Sequence, residues 1–339
     1  AGEAPEVDTV RARRLLNASR VVDDLRARWA EGDGGQGRAR FALVVAGRRA
    51  AAWAAGFPHN PFGVPVTVDE GEDGADVAVG IARAFAGTRV AEARAVRTAK
   101  LLLENPDDLP AREQALARLT FEDLDADERN LTPRIVVLLD GDSLRGSARA
   151  GVPRLLASGL PVTCLALDDG DPLAPGPDPT LTALAHRDAY VVSASPSHPD
   201  LLFRGATAAF QFDGPSFVHV LAPEPGLHGF PTDHTVARER AAVRARVQPL
   251  LRYDPDADGV FGLRLDLDGN PSPDALLVAA PAGTDDAPEP ASWASPERRY
   301  ASSFTAASGD GPSMTTWIHA SPDVRGATAP TVPGPNGAR

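Results

Sequence analysis

The sequence predicts an α/β fold with a mostly parallel sheet and helices on both of its faces. From Ile135 onward, short apolar runs alternate with segments of helical spacing, a pattern typical of parallel strands joined by helices. Two of the runs end in the pairs Gly141-Asp142 and Asp168-Asp169. Because ligands bind at the carboxyl ends of strands in such sheets, these pairs mark a candidate site.

The elements before Ile135 follow from periodicity and from helix-breaking residues. Residues 7–31 carry apolar side chains at helical spacing and predict an amphipathic helix. The apolar run 41–45 predicts a buried strand, and Pro58 and Pro61 predict a loop over residues 57–61. Further helices are expected over residues 76–104, with an interruption near Gly87, and over 112–119.

The alternating part divides into strands and helices in turn. We expect strands at 135–139, 162–167, 190–192, 217–221 and 260–265, and helices at 152–157, 181–186, 199–212 and 235–247. The predicted organisation is an N-terminal helix and connector (1–35), an α/β domain (36–275) and a Pro/Ala/Gly-rich extension (276–339) that is disordered from residue 330.

Composition restricts the partners and the compartment. The chain has 339 residues and a net charge of -12, which argues against nucleic acid and anionic membrane surfaces as partners. No apolar stretch reaches the length of about 18 residues that a membrane span needs. Cys164 is the single cysteine, and the N-terminus does not resemble a signal peptide, so we expect a cytoplasmic protein. Since it begins at Ala1 rather than Met, we also expect it to be part of a longer polypeptide.

Several motifs share their order and spacing with one known family. Trp53, Pro58, Pro61 and Phe62 are spaced as in the opening run of the thiamine-diphosphate domain of pyruvate:ferredoxin oxidoreductases, which this chain resembles. The further matches are Gly141-Asp142-Ser143 with Gly-Asp-Gly, 156–159 with Leu-Ala-Ser-Gly, 212–216 with Tyr-Asp-Gly-Pro-Ser, and 249–255 with Pro-Leu-Tyr-Arg-Tyr-Asn-Pro. Together they span roughly 41–270, and they imply a thiamine-diphosphate-binding fold.

The resemblance implies a cofactor site with named residues. Asp142 and Asp169 would hold magnesium, a cation that prefers oxygen ligands, and Gly141 would lie beside the bound thiamine diphosphate. The family continues with an Asn and a Gly-Gly turn, but here Pro172 begins a proline-rich segment instead. The alternative is that Asp142, Asp168 and Asp169 cap the helices that follow their strands. Residue types alone leave both interpretations open.

Two arginines replace a Gly-Cys pair of the family. Arg48 and Arg49 stand where a cysteine ligand of an iron–sulfur cluster is expected, and Glu224 falls near a second one. Such a cluster needs about four thiolates, so we expect none in this chain. The arginines are expected either to pair with Glu224 or to bind an anion such as the cofactor's phosphates.

Two histidines are further candidates for the same site. His59 lies in the loop beside the expected cofactor and is either a general base or a surface residue. His228-Gly229 matches a His-Gly of the family, so a role in the site is open.

Three functional hypotheses follow from the resemblance. The first hypothesis is that the chain is the thiamine-diphosphate domain of a 2-oxoacid oxidoreductase-like protein, with magnesium as second cofactor. In that case it works with other domains or subunits, as a homo-oligomer. The second hypothesis is a non-catalytic scaffold or interface domain whose site is degenerate. The third is a thiamine-dependent enzyme without redox chemistry, such as a decarboxylase, which needs no cluster.

Overall fold

A computed structural model describes residues 8–32, 35, 37–54, 62–69, 71, 73–145, 148–173, 176–274 and 290–304. The strands are β1 (Phe41–Ala46), β2 (Val66–Asp69), β3 (Arg134–Asp140), β4 (Val162–Asp168), β5 (Tyr190–Ala194), β6 (Ser216–Leu221), β7 (Leu251–Tyr253) and β8 (Leu265–Asp266). The helices are α1 (Thr9–Ala30), α2 (Arg48–Ala54), α3 (Gly74–Glu104), α4 (Leu109–Ala117), α5 (Ala126–Asn130), α6 (Gly141–Arg145), α7 (Ala148–Leu156), α8 (Pro179–Leu184), α9 (Pro199–Gln211), α10 (Pro225–His228), α11 (Thr235–Arg244) and α12 (Pro290–Ala294). Short 3-10 helices cover Thr232–His234, Phe261–Arg264 and Arg298–Ser303.

The strands form one eight-stranded sheet in the order β2-β1-β3-β4-β6-β5-β7-β8. The strands from β2 to β5 in this order are parallel, whereas β7 pairs antiparallel with β5 and β8 pairs antiparallel with β7. The register aligns Leu138 of β3 with Val45 of β1 and with Leu165 of β4. The predicted α/β class with a mostly parallel sheet is confirmed.

Helices cover both faces of this sheet, as expected. On one face, alternate strand residues such as Val137, Cys164 and Phe217 form a core with α3, α7 and α8. On the other face, Leu138 packs with α2 and Val218 packs with α9. Because successive side chains of a strand point to opposite faces, the continuous apolar runs of β3 to β6 serve both layers.

Local signals set several helix ends. Asp8 precedes α1, and its carboxylate accepts hydrogen bonds from the backbone N–H groups of Val10 and Arg11, both at 3.0 Å. Asp125 and Glu128 form a reciprocal capping box at α5. Asn105 ends α3 in the left-handed conformation that terminates many helices.

Two sequence predictions about these elements are wrong. Helix α3 runs through Gly87 without interruption, because an exposed glycine costs only about 1 kcal/mol relative to alanine. The contacts of Ala78, Ala82 and Ala86 with the core outweigh this cost. The expected strand over 260–265 is instead a 3-10 helix, in which the N–H of Leu263 donates to the carbonyl of Val260 at 2.8 Å.

Some predicted features lie outside the described residues. These are the loop over 57–61 with His59, and most of the extension, including the tail from residue 330. Among the helices that the structure does describe, none has the length and apolar character needed to traverse a bilayer.

Candidate functional site

The loops after β1, β3, β4 and β6 meet on one side of the sheet. We call this region the carboxyl edge; it comprises residues 47–49, 140–142, 168–171 and 222–225. Because β1, β3, β4 and β6 are neighbouring parallel strands, their ends lie side by side. Residues of this edge line an open groove with a volume of about 480 Å³.

Asp140, the last residue of β3, organises the loops of this edge. The residue is 5% exposed, and its carboxylate accepts hydrogen bonds from the backbone N–H of Arg49 at 3.2 Å and from that of Ser143 at 2.9 Å. Gly47 approaches it so closely that a Cβ atom there would lie 2.1 Å from its Oδ2 atom. Asp140 therefore ties the start of α2 to the start of α6. Sequence reasoning missed it, since it reads as the end of an apolar run.

Arg49 forms the centre of an ionic cluster. Its guanidinium pairs with Asp169, lies 3.3 Å from the carboxylate of Glu224 and lies 3.9 Å from that of Asp142. The expected pairing of Arg49 with Glu224 is thereby confirmed. Arg48 is exposed, and within the part of the chain that the structure describes it takes part in no ion pair.

Three buried polar side chains form a hydrogen-bonded series at the end of β4. Nε2 of His219 lies 3.0 Å from Oδ2 of Asp168, and Nδ1 lies 2.7 Å from the hydroxyl of Thr180. The three residues are at most 4% exposed. Asp168 also accepts the N–H of Gly170 at 2.9 Å, as a strand-end carboxylate that fixes its own loop. The alternation of His219 with apolar residues in β6 fits its burial.

His228 fixes the backbone of the loop that follows β4. Its Nε2 atom donates a hydrogen bond to the carbonyl oxygen of Asp169 at 2.6 Å, and the side chain is 1% exposed. Burial, reinforced by the nearby Arg299, lowers the pKa of His228 below its usual value. A neutral His228 therefore positions Asp169 through its main chain.

The segment 290–304, which we call the C-terminal strap, secures the same loop from outside. Arg299 donates to the carbonyl of Gly170 at 3.1 Å, and the hydroxyl of Tyr300 donates to Asp171. The strap is itself anchored by Glu297, whose buried carboxylate binds Arg238 at 2.7 Å and Arg299 at 2.6 Å. Composition gave no sign of this ordered anchor within a Pro/Ala/Gly-rich region.

Comparisons with known proteins agree with the sequence motifs. No protein-family model matches the chain. A segment of 71 residues is 37% identical to ketoisovalerate oxidoreductase subunit VorB of Pyrococcus abyssi and covers 21% of this chain and 23% of that subunit. A segment of 80 residues is 34% identical to pyruvate synthase subunit PorB of Methanocaldococcus jannaschii and covers 24% of this chain and 27% of that subunit.

The predicted resemblance to the 2-oxoacid oxidoreductases is confirmed over these segments. The matched segments span about a quarter of the length of these relatives. Among solved structures, this chain is similar to the 2-oxoglutarate:ferredoxin oxidoreductase of Magnetococcus marinus. The alignment covers 69% of this chain and 69% of the other chain, at 14% identity and a TM-score of 0.36.

The predicted site residues fall into two groups. Gly141, Asp142, Asp169 and Arg49 come together at the carboxyl edge, whereas Arg48 points into solvent and His59 lies outside the described residues. The side chain of Asp142 is 86% exposed and that of Asp169 is 11% exposed. Within the described residues, neither carboxylate accepts a hydrogen bond from the backbone of a following helix.

The groups at the edge do not fit a metal-bridged diphosphate as they stand. In the part of the chain that the structure describes, no three His, Cys, Asp or Glu side chains converge closely enough to coordinate one metal ion. The carboxylates of Asp142 and Asp169 surround a guanidinium instead. Asp140 and Glu224 add negative charge to the groove walls, which disfavours phosphate oxygens. The magnesium site at Asp142 and Asp169 therefore stays a prediction.

Proposed function

We propose that this chain acts as the thiamine-diphosphate-type domain of a 2-oxoacid oxidoreductase-like assembly, together with other domains or subunits. The similarity to VorB and PorB, both subunits of such enzymes by name, is the observation that carries the proposal. The chain's single cysteine, Cys164, is fully buried in β4, so the electron acceptor belongs to another part of the assembly. We also propose a cytoplasmic location and a homo-oligomeric arrangement of this domain.

The carboxyl edge is the proposed place of the cofactor. Gly141, Asp142, Asp169, Arg48, Arg49 and His59 are the residues proposed to line it. When thiamine diphosphate is bound to a protein, it supplies the carbanion chemistry that 2-oxo acids require. This chain would contribute the carboxyl ends of β1, β3 and β4, held in register by Asp140 and, on the β4 side, by His228.

The second candidate is a non-catalytic domain that retains the fold as a scaffold or subunit interface. The ion pairs of Arg49 with Asp142 and Asp169 favour it, because a guanidinium that neutralises both carboxylates competes with any metal they would bind. This function requires the surfaces of the domain and not the chemistry of its edge.

Calorimetric titration of thiamine diphosphate, with and without Mg²⁺, separates the two candidates. The titration uses the full-length protein with its partner subunits, and is repeated for Asp142→Asn. The control is Asp127→Asn, since Asp127 is also an exposed carboxylate in the first turn of a short helix. Saturable binding that only Asp142→Asn weakens supports a cofactor site at the edge. Absence of binding in every preparation supports the scaffold.

A parallel assay tests the assembly itself. The intact complex is supplied with thiamine diphosphate, and reduction of a viologen dye is followed for a series of 2-oxoacids. Dye reduction that depends on the 2-oxoacid and on the presence of this chain supports the proposed role. An assembly that is fully active after this chain is removed would contradict the catalytic role.

A further inference from the structure

Three carboxylates from three different loops converge on the guanidinium of Arg49. Asp142 follows β3, Asp169 follows β4 and Glu224 follows β6. The guanidinium of Arg49, which follows β1, pairs with Asp169 through its Nη1 atom, which also lies 3.3 Å from Glu224, while its Nη2 atom lies 3.9 Å from Asp142. A single side chain thereby links the ends of four neighbouring strands.

The position of Arg49 is set by the backbone and not by its ion pairs alone. Its N–H donates to the buried carboxylate of Asp140 at 3.2 Å. Gly47, with a φ of 98°, turns the chain directly before it, and the close approach to Asp140 leaves no room for a Cβ atom at that position. The guanidinium is thus delivered to the acidic cluster by a fixed turn, whereas its sequence neighbour Arg48 is directed to solvent.

The chemistry of the cluster matches a guanidinium better than a point ion. A guanidinium offers five N–H donors in a plane, so carboxylates can approach it from different sides. A divalent ion instead draws its oxygen ligands to a single centre, at about 2.0–2.6 Å. The carboxylates of Asp142, Asp169 and Glu224 are spread around two terminal nitrogens of Arg49.

We propose that Arg49 is a built-in cation that takes the place of a divalent metal at the carboxyl edge. The inference rests on the proposed function only in equating this edge with the cofactor site of the family. It follows that the wild-type edge is held together without Mg²⁺. It also follows that Asp142, Asp169 and Glu224 lose their shared counter-ion when Arg49 is removed, so that they attract a free divalent ion more strongly than in the wild type.

The decisive variant is Arg49→Met, which keeps an unbranched side chain and removes the charge. Mn²⁺ binding is measured by the loss of the free-ion electron paramagnetic resonance signal, without thiamine diphosphate. The expected result is at least about tenfold tighter Mn²⁺ binding than in the wild type, because one positive charge about 4 Å from a divalent ion repels it by that order even in water. Arg48→Met removes the same charge one residue away and is expected to bind Mn²⁺ as the wild type does.

A stability measurement gives a second readout. Mg²⁺, compared with a monovalent salt at equal ionic strength, is expected to raise the melting temperature of Arg49→Met and not that of the wild type or Arg48→Met. Adding Asp169→Asn to Arg49→Met is expected to abolish both the gain in Mn²⁺ affinity and the Mg²⁺ effect. Circular dichroism establishes that the variants fold. Should Arg49→Met be unfolded, Arg49→Gln takes its place in the same comparisons.

Several results would overturn the proposal. These are equal Mn²⁺ affinity of the wild type and the Arg49 variants, an equal gain in Arg48→Met, or a gain that survives Asp169→Asn. Both Arg49 variants failing to fold even with Mg²⁺ present would also overturn it, since a divalent ion could then not replace the guanidinium. None of these readouts depends on dye reduction or on thiamine diphosphate, so a failure of the proposed assembly role is seen separately.

Discussion

Neutralising Glu297 is expected to destabilise the protein strongly, because it is the shared acceptor of one buried and one half-buried arginine. Its side chain is 0% exposed, and those of Arg238 and Arg299 are 5% and 15% exposed. It accepts hydrogen bonds from Arg238 at 3.2 and 2.7 Å and from Arg299 at 2.6 Å. Burial lowers the pKa of Arg238, and Glu297 opposes this effect.

The size of the loss follows from the uncompensated charge. Glu297→Gln keeps the shape of the side chain, creates no cavity and leaves two guanidinium groups without a counter-ion. Removing one partner of a buried ion pair costs about 3–5 kcal/mol. The loss is therefore expected within this range, and it should also release the strap that Arg299 fastens to Gly170.

Urea unfolding followed by circular dichroism measures the effect as a lower midpoint at constant slope. The control is Glu113→Gln, because Glu113 pairs with Arg14 at the surface, with side chains 30% and 43% exposed. That substitution should cost less than about 1 kcal/mol. A loss for Glu297→Gln no larger than for the control would refute the reasoning. Limited proteolysis should in addition cut within 290–304 faster in Glu297→Gln.

Three further outcomes are expected. Burial raises the pKa of the Cys164 thiol, so a thiol reagent should label it only after unfolding. Gly47→Ala should cost about 1–3 kcal/mol by urea unfolding, from the strained φ and the clash with Asp140, while Gly80→Ala, in open space on helix α3, should stabilise by about 0.5–1 kcal/mol. The lowered pKa of His228 means that the unfolded state binds more protons below about pH 6.5. Stability should fall as pH drops through that region, and less steeply in His228→Gln.

The strands of the sheet centre could be predicted from the sequence because both of their faces are buried. Such strands read as unbroken apolar runs, and β3 and β4 lie within one residue of the expected bounds. Strand β2 escaped prediction since it is an edge strand of only four residues, of which the two ends are half-buried and the middle two are exposed. The order of β6 before β5 in the sheet depends on long-range packing and has no local signal.

The candidate site was predictable where a residue stands at a strand end. Asp142 and Asp169 were expected at strand ends and lie there, and Glu224 was expected to pair with Arg49, while their role in binding a cofactor stays a prediction. The full set of partners of Arg49 could not be predicted, because those contacts join loops that are far apart along the chain. Asp142 is 93 residues from Arg49, and Asp169 and Glu224 are further away. The role of Asp140 could not be predicted for another reason. It is the last residue of β3 and reads in the sequence only as the end of an apolar run.

The two borders of the sheet have a consequence for how copies or partner subunits can associate. Within the described part, the sheet ends in β2, with four residues, and in β8, with two. An incoming strand would find few unpaired backbone groups at either border, which guards against edge-to-edge aggregation. Association with other chains is therefore expected to use side-chain surfaces of helices and loops, and the sheet itself should not continue from one polypeptide into the next.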